Sequence, residues 1–304
     1  MNIAISLARP IPALIAAAFI ALLACAQAPA QSDVENAITY YGEDNIRGFI
    51  QPLADLYGAD INSGFYHSAA IPAEGFHFNI DFTGAGSIVS DDDKMFSAKL
   101  PAGFTETNSD QPTILGPRAS LFTDGSGAQY KGSDGMIDAS LFSYGVGQVT
   151  FGTVQGTEAF IRFLASPELG SGKFPKTTLF GGGIRHSISQ YLVEPPLDIA
   201  VGIMYNTMAI GDIMDITGIV VGAQGSKTWD TFTFYGGAGW EKSTLKLDYT
   251  SAGATPAPVN IELDGKNTFR VTAGGLLKFG VFKLFADANI GSVVNFSGGI
   301  GFGN

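Results

Sequence analysis

The stretch "TFRVTAGGLLKFGVFKLFADANIG", residues 268–291, decides the fold because its apolar side chains change parity at one glycine. Before Gly280 the apolar residues stand at odd positions, as Phe279 does, and after it they stand at even positions, as Phe282 does. Period-two alternation is typical of a strand with one apolar face. Glycine tolerates the positive φ of a tight turn. The stretch therefore predicts two antiparallel strands that share one apolar face.

The same alternation recurs along the chain. The clearest examples are "FHFNIDFTG" (76–84), "LDIAVGIMYNTM" (197–208), "TFTFYGGAGWEK" (231–242) and "VNFSGGIGF" (294–302). Recurrence with the same chemistry predicts a repeated, all-β antiparallel architecture. One strand is expected at 75–88 and about nine from 137 onward, with poorly patterned strands inside 89–136. The prediction is a β-barrel of about twelve strands, within a range of ten to fourteen.

Composition indicates what lies against the apolar face. Of the 304 residues, 45% are hydrophobic and only 15% are charged, so the chain lacks the charge of an ordinary soluble surface. After the first thirty residues no segment approaches the roughly 20 consecutive apolar residues of a membrane helix. The second face of the strands is rich in Gly, Ser, Thr and Asn rather than Lys and Glu. These features favour a transmembrane barrel with lipid outside, and a soluble β-sandwich is the alternative.

Residues 1–30 have the pattern of a signal peptide. Arg9 precedes an apolar run over Ile11–Cys25, and a small-x-small site follows, so cleavage is expected after Ala30. An alternative is a lipobox that ends at Cys25, which would then be lipidated. Either pattern predicts export, and together with the barrel it predicts the outer membrane of a Gram-negative cell. A single cysteine excludes a disulfide scaffold.

Residues 31–74 differ from the barrel region at 75–304. In "NIRGFIQPLADLYG" (45–58) the apolar residues with helical spacing are Ile46, Phe49, Ile50, Leu53 and Leu56. Pro52 predicts an interruption, giving two short helices at 43–50 and 52–57, with Gly58 as a C-cap.

Two interpretations of this helical segment are open. It is either an amphipathic segment packed on a core, or a plug or periplasmic cap that fills one end of the barrel. An exposed apolar stripe costs roughly 25 cal/mol per Å². As a plug, the segment is expected to close the periplasmic end, with its stripe against Met204 and Met208.

The polar face of the strands supplies the candidate lumen. The residues predicted to line it are His77, Asn79, Asp81, Glu158, Arg162, Arg185, Asn206 and Arg270. Glu158 and Arg162 share a strand face and are candidates for a lumen ion-pair network. An arginine in place of Asn206 is expected to be better tolerated than one at the outward positions Ile203 and Leu284.

No catalytic, metal or cofactor site is expected. His186 and Ser187 are strand neighbours, so their side chains point to opposite faces and do not form a catalytic pair. The three adjacent aspartates at 91–93 lack the spacing of a calcium loop and indicate a solvated acidic loop. A net charge of −11 argues against nonspecific nucleic-acid binding.

Four blocks resemble a known family. They are "GTEAFIRFL" (156–164), "LFGGGIRHSISQYL" (179–192), "YGGAGWEKS" (235–243) and "NTFRVTAGGLLKF" (267–279). They are similar to an uncharacterised family of Gram-negative outer-membrane barrel proteins. More distantly, the chain resembles outer-membrane transporters of long-chain fatty acids and other hydrophobic compounds. The Asn-Pro-Ala motif of those transporters is absent, and "INSGFYHSA" (61–69) stands in that region.

The resemblance implies passive passage of small hydrophobic or amphipathic molecules through the barrel. The alternative is a non-conducting structural or surface-interaction barrel that acts through its outer loops at 89–136 and 250–258. The expected partners are outer-membrane lipid, the outer-membrane assembly machinery and a hydrophobic small molecule. The last strand, with Phe302 near its end, resembles the C-terminal strand signal of outer-membrane barrels, which typically ends in an aromatic residue.

Overall fold

The computed structural model describes residues 31–137, 140–168, 175–250 and 258–303. The predicted signal peptide and Cys25 lie outside the described residues. None of the described helices is both long and apolar enough to cross a membrane.

The described residues form one long helix and fifteen strands. The helix α1 spans Gln31–Ile61. The strands are β1 (His77–Ile88), β2 (Met95–Lys99), β3 (Asn108–Pro112), β4 (Phe122–Thr123), β5 (Gln129–Tyr130), β6 (Leu141–Val154), β7 (Thr157–Ser166), β8 (Thr177–Ser187), β9 (Asp198–Ile210), β10 (Met214–Trp229), β11 (Phe232–Thr250), β12 (Pro258–Asp264), β13 (Phe269–Phe279), β14 (Phe282–Ile290) and β15 (Val294–Gly303).

Ten strands form a closed antiparallel barrel. The order around it is β1, β6, β7, β8, β9, β10, β11, β13, β14 and β15, and pairing of β15 with β1 and of β10 with β11 completes the circle. The extra strand β12 pairs only with the last part of β11 and extends the wall there. The predicted closed antiparallel barrel is therefore confirmed.

The barrel has ten strands, which is fewer than the predicted number of about twelve and at the lower end of the predicted range of ten to fourteen. The additional strands expected inside 89–136 form two small hairpins, β2 with β3 and β4 with β5, that do not join the barrel sheet. Their segments are short and lack an alternating apolar face, so they have no surface to bury in the barrel wall.

The opening stretch forms the predicted hairpin. Gly280 has φ +61° and belongs to a two-residue turn, with Phe279 paired to Phe282 across it. Phe279 is 55% exposed and Leu284 is 39% exposed on the outside of the barrel, whereas Arg270 is buried on the inside. The change of parity at Gly280 is thus the point where the chain reverses and keeps the same apolar face outside.

Apolar side chains cover the outer face on every barrel strand. Exposed examples, one from each, are Phe78, Phe151, Phe163, Phe180, Ile203, Val221, Phe234, Val271, Leu284 and Phe296. A soluble barrel would place such residues inside. The outer face is therefore a continuous apolar surface.

The two ends of the barrel differ. One end, here the turn end, carries the tight turns at 155–156, 230–231 and 280–281 and the connection at 188–197. The other, here the loop end, carries the long connection from β1 to β6, including β2 to β5.

Helix α1 is continuous through Pro52, so the prediction of two short helices is wrong. A proline inside a helix costs about 3 kcal/mol, through a lost hydrogen bond and a steric clash. All residues from 52 to 61 are buried, so packing of the enclosing wall against the helix offsets that cost.

Gly58 is not a C-cap, because the helix continues to Ile61. A Cβ at residue 58 would overlap the Ser243 hydroxyl on β11. The glycine is needed because helix and wall approach closely here.

Candidate functional site: the barrel lumen

The lumen is occupied by residues 46–72, here called the luminal segment. Four residues of α1, each one helical turn after the last, form hydrogen bonds with wall residues that follow one another from β12 through the 265–268 connection to β13. The contacts are Arg47 Nη1 to Glu262 O (3.0 Å), Gln51 Nε2 to Asp264 O (2.9 Å), Lys266 N to Asp55 Oδ1 (2.9 Å) and Arg270 Nη2 to Ala59 O (2.7 Å). The helix thus runs inward from the loop end.

Beyond the helix, the segment continues to the turn end. The amide of Ala69 donates to Ser226 Oγ at 2.9 Å, and Ser226 lies near the turn-end terminus of β10. The expectation that the helix closes the periplasmic, short-turn end is therefore wrong, since α1 occupies the loop half. The reason is the direction of the chain, which must reach the start of β1 at the turn end.

The loop half of the lumen is apolar. The residues predicted for the plug, Ile46, Phe49, Ile50, Leu53 and Leu56, are all fully buried. They belong to one cluster with wall residues Leu179, Met208, Ile210, Met214, Ile216, Leu245 and Leu247. Tyr57 meets Phe142 edge to face, with ring centroids 4.4 Å apart. Met204 lies instead in a second cluster with Phe65 and Tyr66.

The long outer connection closes the loop end over the helix. Ile114 and Leu115 are fully buried in the same cluster, and the Ile114 amide donates to Phe49 O at 2.9 Å. Lys266 Nζ donates to Asp93 Oδ1 at 2.8 Å and lies 3.7 Å from Asp55 Oδ2. Burial alone would raise the pKa of Asp93, but hydrogen bonds from Lys266 and Ser90 outweigh it and lower that pKa. This contact ties helix, outer connection and wall together.

Four wall side chains form hydrogen bonds with the end of the helix. We call these residues, Arg162, Asn206, Arg270 and Asn295, the collar. Arg162, which is fully buried, donates to Ile61 O and Ser63 O, both at 3.0 Å. Asn206 donates to Ile61 O at 2.7 Å. The last carbonyls of a helix lack partners and carry a partial negative charge. The collar satisfies them from two sides of the barrel.

The other two collar residues act on the same turn of helix. Arg270 donates to Asn62 O at 2.9 Å as well as to Ala59 O, and it forms a 2.9 Å ion pair with Glu241. Asn295 donates to Ala59 O at 2.9 Å and to Ser63 Oγ at 2.6 Å. Because the donors come from β7, β9, β13 and β15, the helix end is held around the circumference.

The turn half of the lumen contains a cavity of about 320 Å³, here called the vestibule. Glu158 accepts hydrogen bonds from Arg185 Nε at 2.7 Å and from Arg185 Nη2, and it lies 3.0 Å from His77 Nε2. Arg185 also donates to Ser68 O at 2.8 Å and to Gln224 Oε1 at 2.7 Å. A buried charge is tolerated where it is paired and bonded in this way.

The wall of the vestibule nearest β1 adds more polar groups. Asp81 on β1 stands directly opposite Gln148 on β6, and both line the cavity. Lys283 donates to Asn79 Oδ1. Room for Asp81 depends on Gly301, because a Cβ there would overlap the Asp81 carboxylate.

The eight predicted lumen residues thus fall into two groups. His77, Asn79, Asp81, Glu158 and Arg185 line the vestibule, and Arg162, Asn206 and Arg270 form most of the collar. Glu158 and Arg162 share the inner face but not a contact, because four residues along a strand span about 13 Å. Sequence reasoning did not single out Gln148, Lys283 or Asn295, although the inward parity of Lys283 and Asn295 was readable.

The motifs considered for chemistry lie elsewhere. His186 contacts Thr157 Oγ1 at 2.8 Å and Tyr191 Oη at 2.9 Å at the turn end, while Ser187 is buried. Asp93 is buried at the Lys266 contact, whereas its two preceding aspartates are exposed. Within the described residues, no three His, Cys, Asp or Glu side chains are grouped to hold a metal ion.

Comparison with known proteins gives a family. Residues 9–304 match a family of unknown function, DUF6588. No curated protein matches the sequence.

Solved structures with some likeness include three bacterial proteins. They are the attachment invasion locus protein Ail of Yersinia pestis (11% identity, 76% of this chain and 97% of that one, TM-score 0.24), the outer-membrane protease OmpT of Escherichia coli (8%, 77% and 98%, 0.30) and the toluene transporter TbuX of Ralstonia pickettii (10%, 92% and 98%, 0.22). With TM-scores this low, the likenesses carry no argument about function.

Proposed function

We propose that this chain, which belongs to the family of unknown function DUF6588, is an outer-membrane β-barrel that is closed at rest. The observation that supports closure is the collar, which holds the end of α1 inside the lumen from four strands. Above it the apolar cluster packs helix against wall. Solutes therefore have no open path between the two ends while the luminal segment stays in place.

The continuous apolar outer face supports placement in lipid. Outer-membrane barrels have short periplasmic turns and longer outer loops, so the turn end is assigned to the periplasm and the loop end to the outside. The partners in this proposal are outer-membrane lipid and the assembly machinery. Recovery in the outer-membrane fraction with heat-modifiable gel migration tests it, and recovery as a soluble periplasmic protein would contradict it.

The orientation has a consequence for the start of the luminal segment. Because α1 enters from the loop end, residues near Asn45 lie at the outer side. An epitope inserted before residue 31 is expected to be labelled by antibody on intact cells. The same epitope in the 280–281 turn should be labelled only after the outer membrane is opened. The reverse pattern would show that the barrel is inverted.

Planar-bilayer recordings test closure. The full-length protein is expected to show no sustained conductance, and deletion of residues 31–61 is expected to create it, because the helix is lost together with the Ala59 and Ile61 carbonyls that the collar holds. Deletion of residues 31–44 is the matched control and should stay closed, since residues 45–61 and their contacts remain. Steady conductance by the intact protein, or silence of an assembled 31–61 deletion, would refute the proposal.

A second candidate is passage of small hydrophobic or amphipathic molecules after the helix moves. The observation that favours it is the apolar inner wall of the loop half, with Met208, Ile216 and Leu247 facing the lumen. This wall would accept an apolar solute where the helix now lies. Cells carrying the 31–61 deletion should then take up a hydrophobic fluorescent probe faster than cells with the 31–44 deletion. Equal uptake would remove this candidate.

A further inference from the structure

The vestibule contains buried polar atoms that nothing in the protein satisfies. Asp81 Oδ1, Gln148 Oε1 and His77 Nδ1 have no hydrogen-bond partner among the described residues, and all three side chains line the cavity. The residues are 5%, 3% and 6% exposed, respectively. An unsatisfied buried polar group costs about 1–3 kcal/mol. These three wall atoms, together with His67 Nε2 of the luminal segment, which lines the same cavity and also has no partner among the described residues, indicate a missing partner.

The chemistry of the missing partner follows from the three atoms. Carboxylate and amide oxygens accept hydrogen bonds. His77 Nε2 lies 3.0 Å from Glu158 Oε2, and in the tautomer that donates to this carboxylate Nδ1 is an acceptor. All three atoms therefore need a hydrogen-bond donor.

The charges around the cavity are balanced. Arg185, Lys278 and Lys283 contribute three positive charges, and Asp81, Glu158 and Asp230 contribute three negative ones. Arg185 is already paired with Glu158. A cationic ligand would meet the two lysines, and an anionic ligand would meet the unsatisfied acceptors. The lining therefore favours an uncharged ligand with several donors.

The side chains at the inner end of the vestibule and its volume further limit the kind of ligand that it could bind. Phe65 and Tyr66 of the luminal segment line the cavity and supply apolar ring surface. Its volume of about 320 Å³ is at the small end of ligand sites, which span about 300–1,000 Å³. Thr228, Asp230 and Thr231 place its mouth at the turn end.

We propose that the vestibule binds a neutral polyhydroxylated molecule of monosaccharide size. Its hydroxyl groups donate to Asp81, Gln148 and His77 and accept from Lys283, while its C–H face packs on the aromatic rings. This inference goes beyond closure of the barrel and does not depend on it, because the site is open from the turn end whether or not the barrel conducts.

Calorimetric titration of the purified full-length protein in detergent tests this site. The probes are glucose and inositol as neutral polyols, ethanolamine as a cation and acetate as an anion. Saturable binding of a neutral polyol is expected, with weaker binding of both ions. Gln148→Leu should weaken polyol binding about tenfold, the loss of one hydrogen bond in a desolvated site. Gln190→Leu is the matched control at the same end outside the cavity and should bind like wild type.

Three results would overturn the proposal. One is no saturable binding of either polyol, which would mean that water alone fills the vestibule. Another is tighter binding of ethanolamine or acetate than of the polyols. The third is equal affinity of Gln148→Leu and Gln190→Leu. Heat-modifiable gel migration of each variant shows that the barrel has assembled, so a loss of binding is not confused with a loss of folding.

Discussion

The two halves of the lumen share one wall but differ in inner chemistry. In the loop half, Met208, Ile216 and Leu247 face a helix, and the interior is packed and apolar. In the turn half, Asp81 and Arg185 face an irregular segment, and a cavity remains. The same strands run through both halves, so the difference lies in which side chains stand at inward positions. The inner face is mainly apolar along the helix, whereas along the irregular backbone polar groups line a cavity beside the second apolar cluster of Phe65 and Tyr66.

The collar is the boundary between these halves. A helix ends with unpaired carbonyls, and irregular backbone has unpaired amides and carbonyls throughout, so both need polar wall residues. Arg162 and Arg270 stand where the helix ends, and Arg185 stands where irregular backbone follows. The change in wall chemistry therefore follows the change in backbone hydrogen bonding.

The largest expected loss of stability comes from replacing an arginine of the collar, which forms the boundary between the two halves. Arg270→Met leaves Glu241 without its partner, removes the donor to the Asn62 carbonyl, and leaves the Ala59 carbonyl with Asn295 as its wall donor. Breaking a buried pair in this way should lower the free energy of unfolding by about 3–5 kcal/mol. Urea unfolding in lipid vesicles measures it. Lys246→Met, which breaks an exposed pair with Glu262, is the control and should change little. Equal effects would show that the collar does not hold the segment.

The next effect separates the outer face from the inner one. Ile203→Arg, near the middle of β9, places a charge in lipid and should lower the free energy of unfolding by about 2–4 kcal/mol, whereas Ile203→Ala should cost far less. The expectation that Asn206→Arg is better tolerated than an outward arginine is replaced by an expected loss of stability, because Asn206 is fully buried and donates to Ile61 O. Unfolding in vesicles should therefore show losses for both arginine variants. Equal losses for Ile203→Arg and Ile203→Ala would mean that residue 203 does not face lipid.

A smaller effect tests the close packing of helix and wall in the loop half. Gly58→Ala places a methyl group against Ser243 and should cost about 1–3 kcal/mol, the usual range for overpacking. Ser243→Gly in the same chain removes the clash and should restore most of that stability. Thermal unfolding of the single and double variants measures the coupling. If the stability losses of the two single variants simply add in the double variant, residues 58 and 243 are not in contact.

The smallest effect concerns the contact that closes the loop end. Asp93→Asn removes the charged partner of Lys266 and should destabilise by about 1 kcal/mol at neutral pH, since the lysine side chain is 36% exposed and solvent screens its charge. The pKa of Asp93 is lowered in the fold, so this contribution is present above the ordinary pKa of about 4 and is lost as pH falls through the lowered pKa. Unfolding of both chains over acidic pH checks this. A difference that is constant down to the lowest pH would contradict it.

Alternation in the sequence was enough to determine the barrel and its outer face. Phe279 and Phe282 on either side of Gly280 locate a turn, because a period of two fixes which face each side chain occupies. The same parity placed all eight predicted lumen residues inside. It could not count the strands in 89–136, where no regular alternation exists.

Only the tertiary structure decided which inward residues meet. Glu158 pairs with Arg185 and His77, and Arg162 binds the helix end, because partners on a barrel wall are set by strand register between segments far apart in sequence. The helix runs through Pro52 and past Gly58 because the wall encloses it, and helical propensity read locally contains no information about that wall. The sequence by itself determined which face of the barrel wall each side chain occupies, and long-range packing determined which side chains contact one another.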